Sequence, residues 1–443
     1  MQIDKYYNLG KKLFKIHRSI TGKGTLTSLR EIKKFNKDLK IKYFKTNCKV
    51  FDWRIPSEWN IREAYVLDNK KKKIIDFKKN NLHIVAYSQP TKKLVNKKKL
   101  LDRLHYLKDQ PNAIPYATSY YKDYWGFSLS FNDFKKIKKN YQSNERFYVN
   151  IDTKFKKKGK MHYGEIFLEG KSKEEILIST YICHPSMANN ELSGPLVSLA
   201  LSNYFKKKKL DRSIRFLFLP ETIGSIAYIK KNFKNLKKNV IGGYILSCIG
   251  DDRNYSYIKS KYPNSISDLS AISAFKKLKI KFKNYTFIKS ESDERRFNTP
   301  FLNLGLGSIL RTKYHSYPEY HTSLDNFSVV TKLGLFGGYK VAKLSIENLL
   351  KKKIKNIKNK EKIISNCPIS KFICEPNLGK RELYPTISQK NNEFKEPHLI
   401  LDFIQYSDGT NSLAEISKIL KISSKKIKFL NNFLLKKKLI YYL

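Results

Sequence analysis

The sequence predicts an α/β protein built on a mostly parallel sheet that is flanked by helices. Between about residues 140 and 365, apolar strand-like runs alternate with helix-like runs, as in a largely parallel sheet. Four polar clusters in this region follow predicted strand ends and carry His184, Glu221, Asp251 and His321. Ligands collect at the carboxyl ends of parallel strands, so we expect these four side chains to meet at one edge of the sheet.

The individual elements of this region follow from the spacing of apolar residues and from turn signals. The predicted strands are Phe147 to Ile151, Glu165 to Leu168, Ile176 to Ser179, Ile214 to Leu219, Val240 to Leu246 and Phe301 to Leu306. The predicted helices are Pro195 to Tyr204, Gly224 to Lys231, Ser267 to Leu278 and Lys332 to Leu350.

Three domains are expected. Residues 1–45 have helical spacing and are assigned, with residues 139–375, to the α/β domain. Residues 46–138 contain short alternating runs bounded by turns, which predicts an inserted, small β-rich domain. Residues 385–443 contain three short helices followed by one strand, which predicts a winged helix; Ser412 and Glu415 have the spacing of a capping box.

Composition limits the class of protein. The chain of 443 residues is 41% hydrophobic, enough for real cores in two or three domains. No run of 18 apolar residues occurs, so no membrane span is expected. The N-terminus lacks the apolar stretch of a signal peptide, and five scattered Cys residues form no disulfide framework. A cytoplasmic location is therefore expected.

The net charge of +51 does not by itself predict a nucleic-acid-binding protein. Only 13 of the 89 basic residues are Arg, the residue suited to bidentate phosphate and base contacts. The Lys residues are spread over the whole chain, as on a solvated surface that attracts acidic glycans or phosphates weakly. Nucleic acid is not expected to be the main partner. The alternative is a winged helix that binds DNA, in which Lys425, Lys426 and Lys428 contact phosphates.

Several residues have the chemistry of a metal-dependent hydrolase. Neutral imidazole is the commonest metal ligand, which suits His184 and His321, although a lone histidine is more often structural. Glu221 directly follows Pro220 and can act as a general base, or else as a loop or N-cap carboxylate. Asp251 follows a predicted strand and is either an acidic ligand of the metal ion or a residue of a turn. Zinc takes about four nitrogen or oxygen ligands with one position open for water.

A second polar cluster, in the loop before Phe297, has two interpretations. Asp293, Glu294 and Arg295 anchor a charged substrate terminus, or they form a solvated loop.

Seven segments of the chain carry a resemblance to known proteins: His184…Asn190-Glu191-Leu192-Ser193-Gly194, Glu221-Thr222-x-Gly224-Ser225, Gly250-Asp251, Ser292-Asp293-Glu294, Tyr320-His321-Thr322-Ser323-Leu324-Asp325-Asn326, Asp52-Trp53-x-x-Pro56-x-x-Trp59 and Ile114-Pro115-Tyr116-x-Thr118-Ser119-Tyr120-Tyr121. These segments resemble the aminopeptidase-like zinc exopeptidases, and more closely a subgroup described as polysaccharide-biosynthesis proteins with an aminopeptidase-like domain. The resemblance covers nearly the whole chain and implies an inserted β-rich domain and a C-terminal winged helix.

The chain departs from that clan at two metal ligands. Asn190 stands where the clan has a bridging Asp, and Thr222 stands where it has a second Glu. A neutral amide offers one weak carbonyl donor and cannot bridge two dications as a carboxylate does. We therefore expect one zinc ion, held by His184, His321 and Asp251 with a weak contribution from Asn190, or with Glu191 in place of the lost Asp.

The resemblance and the residues together predict a zinc-dependent amide or peptide hydrolase of aminopeptidase type. Glu221 is the expected base, and Asp293, Glu294, Arg295, Tyr314 and Tyr320 are the expected substrate-binding residues. The expected substrate is a small peptide or another amide-bearing molecule, including one linked to a surface glycan. The alternatives are a catalytically degenerate binding or scaffold protein and a winged-helix regulator on DNA; the sequence leaves open whether the chain forms a homo-oligomer.

Overall fold

The computed structural model describes residues 2–352, 363–384, 388–389 and 395–443. Its largest sheet has eight strands in the order β1-β2-β4-β3-β5-β8-β6-β7. In chain order these strands are β1 (Lys40–Lys45), β2 (Lys160–Leu168), β3 (Ser172–Tyr181), β4 (Arg212–Leu219), β5 (Val240–Leu246), β6 (Ser256–Ile258), β7 (Lys283–Tyr285) and β8 (Leu306–Leu310).

The four central strands, β4, β3, β5 and β8, are parallel neighbours. Their residues are almost all buried, which is why they appear in the sequence as continuous apolar runs. In the register of the sheet Tyr181 pairs with Leu219 and Leu246 pairs with Ile309, so the carboxyl ends lie nearly level. The loops that follow these four strands therefore meet at one edge, as predicted.

Helices cover both faces of this sheet. Helix α5 is apolar on all sides and almost completely buried, because it packs between the sheet, α1 and α9. A Cβ atom on Gly194 would collide with Leu246 O and Thr180 Oγ1, so the first turn of α5 needs glycine to approach β5. The α-helices are α1 (Ile3–Phe14), α2 (Lys23–Phe35), α3 (Lys97–Leu101), α4 (Phe131–Asn140), α5 (Ser193–Phe205), α6 (Ile223–Asn239), α7 (Ile266–Lys277), α8 (Asp293–Phe297), α9 (Lys332–Lys351), α10 (Lys395–Tyr406), α11 (Leu413–Leu420) and α12 (Ser424–Lys436).

The inserted region forms its own four-stranded antiparallel sheet, with the order Lys73–Asp76, Glu58–Leu67, Arg146–Lys156 and Thr91–Asn96. Trp59, Val66 and Val149 of this sheet share one apolar core with Leu217 of β4. The strand predicted at Phe147 to Ile151 therefore belongs to the insertion and not to the α/β domain. We propose that the insertion ends near residue 157 and not at residue 138.

One predicted strand is displaced. The segment predicted as Phe301 to Leu306 is mostly a turn, in which Asn303 and Gly305 have positive φ angles, and β8 begins only at Leu306. The apolar character of the segment comes from packing of Leu302 and Leu304 into the core and not from strand pairing. Strands β6 and β7 have three residues each and were not predicted.

The C-terminal region has the three predicted helices, α10, α11 and α12, and the predicted capping box between Ser412 and Glu415. Its last strand, Ile440–Tyr441, pairs antiparallel with Ile369–Ser370, which lies upstream of the predicted boundary at residue 385. The chain segment before the helices thus completes the small sheet of this module.

Short elements complete the fold. They are the strand pairs Lys49–Val50 with Trp53–Arg54, Leu104–His105 with Phe127–Ser128 and Ala117–Thr118 with Ser388–Gln389, the single turns Asn81–His83, Phe287–Lys289 and Gly379–Arg381, and the π-helical turn Ala188–Leu192. Among the described residues, no helix combines the length and the apolar character needed to cross a bilayer.

Candidate metal centre

His184 lies in the loop after β3 and is held by a carboxylate. Its Nδ1 atom lies 2.5 Å from Glu191 Oε2, and its backbone N–H donates to Glu191 Oε1 over 2.9 Å. Metal-binding histidines usually donate their second ring N–H to such a carboxylate, which fixes the tautomer and the orientation of the ring. The Nε2 atom of His184 is thereby left to face the interior of the site.

His321 lies beside His184 although 137 positions separate them in the sequence. The two ring centres are 5.4 Å apart and the ring planes are inclined by 38°. Two imidazoles that share one zinc ion at tetrahedral angles have ring centres about 5 Å apart. The two histidines therefore lie within reach of a common metal ion.

Glu221 occupies the loop after β4, opposite His184. Its Oε2 atom lies 3.4 Å from His184 Nε2, and its Oε1 atom accepts a hydrogen bond from Ser292 Oγ. The Glu221 side chain is 23% exposed whereas that of His184 is 6% exposed, so solvent reaches the carboxylate before the imidazole. Burial raises the pKa of Glu221 above its ordinary value, although the facing His184 acts against this shift. A carboxylate with a raised pKa is suited to accept and return a proton.

Backbone strain is concentrated in the loops of this edge. Thr222 has φ 61° and ψ −76°, and Ile223 N–H donates to Glu221 O over 2.7 Å, which forms a strained γ-turn beside Glu221. Ser186, Cys248 and His321 of the other three loops also have positive φ angles. Such conformations cost about 1–3 kcal/mol each and persist where the surroundings enforce them, often at functional sites.

The π-helical turn before α5 is fixed by Asp325. The carboxylate of Asp325 accepts hydrogen bonds from the backbone N–H groups of Asn189 and Asn190 over 2.7 and 2.9 Å. The Asn190 side chain donates toward Tyr181 Oη over 3.3 Å. Its Oδ1 atom is buried and accepts no hydrogen bond within the described residues, so it is an oxygen donor without a partner in the protein.

The carboxylate of Asp251 is held by hydrogen bonds from neighbouring residues. It accepts hydrogen bonds from Asn189 Nδ2, from Thr312 N and Oγ1, and from Arg253 N, at distances between 2.6 and 3.0 Å. These four contacts use the lone pairs that a metal ion would need. We therefore remove Asp251 from the proposed ligand set and interpret it as the residue that joins the loops after β5 and β8.

Glu191 also does not replace the missing bridging Asp. Besides His184, its carboxylate accepts the backbone N–H of Cys183. Cys183 lies close enough to His184 and Glu191 for the three to resemble a metal cluster. However, Cys183 Sγ accepts the Glu221 N–H over 3.3 Å, and the Glu191 carboxylate is already occupied by His184 and by the backbone N–H of Cys183. We do not place a metal ion there.

The predicted substrate-binding acids take positioning roles in the structure. Asp293 accepts the backbone N–H of Thr222 over 2.8 Å and thus supports the strained turn beside Glu221. Glu294 accepts the hydroxyl of Tyr314 over 2.5 Å in the protein interior. Both acids are almost fully buried, as is Tyr314. Both acids are engaged within the protein, although Oδ2 of Asp293 accepts no hydrogen bond from a described residue.

Arg295 points away from the site. Its Nη1 atom donates to Asp402 of α10 over 2.7 Å, and Glu375 lies 3.8 Å from its Nε atom. An arginine that is 3% exposed and bound to two acids is not available to a substrate terminus. We therefore remove Arg295 from the proposed substrate-binding set.

Aromatic residues line the histidine pair. Tyr320 stacks on His321 with a ring-centre distance of 3.9 Å. The ring of Tyr116, from the insertion, packs edge-on against His184 at 5.0 Å and against His321 at 5.5 Å. Tyr116 N–H donates to His321 O, and Pro115 bridges Thr322, so the insertion fixes the His321 loop. Tyr116 was quoted in the motif of the insertion, but nothing in the sequence places it against both histidines.

The donor set at this edge of the sheet suits a zinc ion. His184 Nε2, the ring of His321 and the unpartnered Asn190 Oδ1 are buried together at one edge of the sheet. Thr222 supplies no carboxylate, and the carboxylate of Asp251 already accepts four hydrogen bonds within the protein.

Comparison with solved structures gives the class of the fold. The zinc aminopeptidase BSAP from Bacillus subtilis superposes with a TM-score of 0.59 at 15% identity over 80% of this chain and 96% of that chain. A peptidase M28 precursor from Shewanella amazonensis gives 0.58 at 11% identity over 79% of this chain and 93% of that chain. The fold is therefore that of an aminopeptidase-like α/β protein.

The chain belongs to the family described as a domain of unknown function (DUF4910), whose profile matches residues 7–352, and a winged helix-turn-helix profile matches residues 366–442. A Clostridium acetobutylicum protein, provisionally named a polysaccharide biosynthesis protein with an aminopeptidase-like domain, is 37% identical over 423 residues, which are 96% of this chain and 93% of that protein. A crystal structure from the same species, of a protein provisionally assigned as a peptidase, is 35% identical with a TM-score of 0.75 over 100% of this chain and 96% of that chain. These findings confirm the predicted resemblance and fold class.

Proposed function

We propose that this protein is a single-zinc amide hydrolase of aminopeptidase type. The observation that carries the proposal is the convergence of His184, His321 and Glu221 from three separate loops, with the imidazole rings 5.4 Å apart and the carboxylate 3.4 Å from His184. A zinc ion bound there would polarise a scissile carbonyl and lower the pKa of a water molecule.

The side chains of the protein supply the remaining steps. Glu191 keeps the proton of His184 on Nδ1, so that Nε2 stays available as a donor atom. Glu221 removes a proton from the attacking water and delivers it to the leaving amine, while Ser292 holds the carboxylate in place. The rings of Tyr116 and Tyr320 shield the histidines from bulk water.

Two measurements test this proposal. Metal analysis of the purified chain is expected to find about one zinc ion per chain. The substitution Glu221→Gln is expected to keep that zinc and to lower amide hydrolysis by at least about 100-fold, because the amide cannot accept the proton. Unchanged turnover in this variant contradicts the role of Glu221, and a zinc-free protein after purification with zinc contradicts the metal site.

The substrate class is proposed from the related protein. Its name places it in polysaccharide biosynthesis, so we propose an amide-bearing precursor of a surface glycan, or else a small peptide. A panel that contains aminoacyl anilides and N-acylated amino sugars separates these substrates, because only one of the two groups should be hydrolysed in a manner that depends on Glu221.

A second candidate function is that of a catalytically degenerate binding protein, and Asn190 favours it. Replacing a bridging carboxylate by an amide removes one negative charge from the site. If Asn190→Asp raises the zinc content from about one to about two ions and creates activity that the natural chain lacks, the natural protein is degenerate. If the natural chain hydrolyses amides by itself, this second candidate is refuted.

A further inference from the structure

A cleft lies where the insertion meets the α/β domain. It encloses about 590 Å³ and is lined by Phe14, Lys15, Lys78, Lys79, Asn80, Asn81, Ser186, Ser323 and Asn326. Ligand sites occur preferentially at such junctions between domains, because two surfaces supply convergent groups. The residues from Lys78 to Asn81 belong to the insertion, and the remaining lining residues belong to the α/β domain.

The two loops that carry the histidines of the candidate metal centre also contribute to the lining of the cleft. Ser186 and Ser323, which line the cleft, follow His184 and His321 by two residues each. A chain of hydrogen bonds closes the junction: Asn81 Nδ2 donates to Ser186 Oγ over 2.7 Å, and Ser186 Oγ donates to Phe14 O over 3.2 Å. Ser186 keeps a positive φ angle in this arrangement. The cleft is therefore built by defined contacts and is not a gap between loose loops.

The residues that line the cleft are cationic or neutral. Three ammonium groups, three amides and two hydroxyls surround the cleft, and no carboxylate is among the lining residues that the structure describes. Lys78 lies 4.0 Å from Glu63, at the limit of an ion pair, and neither Lys15 nor Lys79 forms an ion pair with a described residue. A cavity that is rich in cationic donors and lacks acids attracts and orients an anionic group.

We infer that this cleft is an anion-binding subsite for a ligand that carries a carboxylate or phosphate group. The neighbouring histidine loops place that group beside the candidate metal centre, so an amide substrate would carry its negative charge on the side of the insertion. As a substrate subsite, the inference rests on the proposed hydrolase function, whereas anion binding by the cleft can be tested without catalysis.

The test is calorimetric titration of the full-length chain with inorganic phosphate, glucuronate and glucose at one fixed, low ionic strength. We expect saturable binding of phosphate or glucuronate and none of glucose, and the two anions separate the phosphate from the carboxylate ligand. The variant Lys78→Glu/Lys79→Glu is expected to bind the preferred anion at least about tenfold more weakly. The variant Lys98→Glu/Lys99→Glu changes two exposed, adjacent lysines of the same insertion outside the cleft and should bind it like the natural chain.

Two results would overturn the inference: no saturable anion binding, or equal weakening in both lysine variants, since the latter indicates general attraction to a chain of net charge +51. The Glu221→Gln variant separates the two proposals, because it should still bind the anion. Binding to the cleft in a chain that hydrolyses no amide refutes the hydrolase and not the subsite. Hydrolysis without anion binding refutes the subsite alone.

Discussion

Two regions of the protein that bury charged side chains compensate the charge in different ways. At the contact between the α/β domain and the winged helix, each buried cation has an acid: Arg296 lies 2.9 Å from Glu375, and Lys261 lies 2.9 Å from Asp408. At the candidate metal centre, Glu191 and Glu221 form no ion pair with a lysine or arginine among the described residues; both face His184.

This difference separates a stabilising contact from a site that is prepared for a ligand. Buried charges are paired in the protein or they coordinate a metal ion. At the winged-helix contact the buried cations have acidic partners, and Glu375 extends this contact, because its backbone oxygen also accepts a hydrogen bond from Trp53 Nε1 of the insertion. At the metal centre the buried Arg18 donates to the backbone oxygen of His184 but forms no ion pair with Glu191 or Glu221, and the buried Asn190 Oδ1 has no hydrogen-bond partner among the described residues. We therefore expect a ligand to bind at the metal centre, where the buried carboxylates have no lysine or arginine partner, and we expect the ion pairs of the winged-helix contact to stabilise the fold.

The largest expected effect comes from breaking a buried ion pair at the winged-helix contact. Lys261→Ala leaves Asp408 buried without its cation, and losing one partner of a buried pair costs about 3–5 kcal/mol of unfolding free energy. Urea unfolding should show a much lower midpoint without loss of zinc. The double variant Lys261→Met/Asp408→Asn removes both charges and should recover part of the loss. A change below about 1 kcal/mol in the single variant would contradict a tightly buried pair.

Substitutions at the candidate metal centre are expected to have a smaller effect on stability and a larger effect on zinc affinity. Glu191→Gln keeps oxygen for the backbone N–H groups of Cys183 and His184 but loses the charge that orients His184. Zinc affinity should fall about 10–100-fold, as for other second partners of metal-binding histidines. Competition with a chromogenic chelator measures this change, and Glu169→Gln at the exposed surface is the matched control. Equal zinc affinity in both variants would contradict the role of Glu191 in orienting His184 for the metal ion.

The two regions should also differ in their response to acid. Burial alone would raise the pKa of Asp408, but Lys261 and the hydroxyls of Tyr262 and Thr410 outweigh it and hold this pKa below the ordinary value. A carboxyl with a lowered folded pKa contributes stability above its unfolded pKa, near 3.9, and loses that contribution as the pH falls through the folded pKa.

The natural chain should therefore lose more urea stability between about pH 5 and pH 3 than the Asp408→Asn variant, which has no carboxyl to titrate there. If the free energy of unfolding falls by the same amount in both proteins over this pH range, Asp408 is not the cause of the pH dependence.

The smallest expected effect concerns Tyr116, whose hydroxyl lies 2.7 Å from that of Tyr120. Tyr116→Phe removes one buried hydrogen bond and should cost about 1 kcal/mol of stability while the zinc content stays constant, because the ring still covers both histidines. Tyr116→Ala removes the ring and should weaken zinc retention during dialysis. If the Phe variant loses zinc as readily as the Ala variant, the hydroxyl and not the ring supports the site.

Local patterns in the sequence were sufficient for much of the architecture. The buried parallel strands appear as continuous apolar runs, α5 and α9 begin within two residues of their predicted starts, and the capping box of α11 is readable from Ser412 and Glu415. These features depend on neighbours within one turn or one strand. The sequence also predicted a strand at Phe147 to Ile151, within Arg146–Lys156, but the start of β8 and the antiparallel partners of Arg146–Lys156 depend on segments far along the chain, and the sequence placed β8 too early.

The sequence by itself determined which residue types stand at the carboxyl ends of the central strands, because strand periodicity and polar clusters are local properties. Only the tertiary structure decided the roles of these residues. It turned Asp251 and Arg295 into hydrogen-bonding and ion-pairing residues of the scaffold, and it placed Tyr116 against the histidines. The physical reason is that a carboxylate or guanidinium in the interior acts through whichever partner lies within about 3 Å, and that partner is chosen by packing between distant segments.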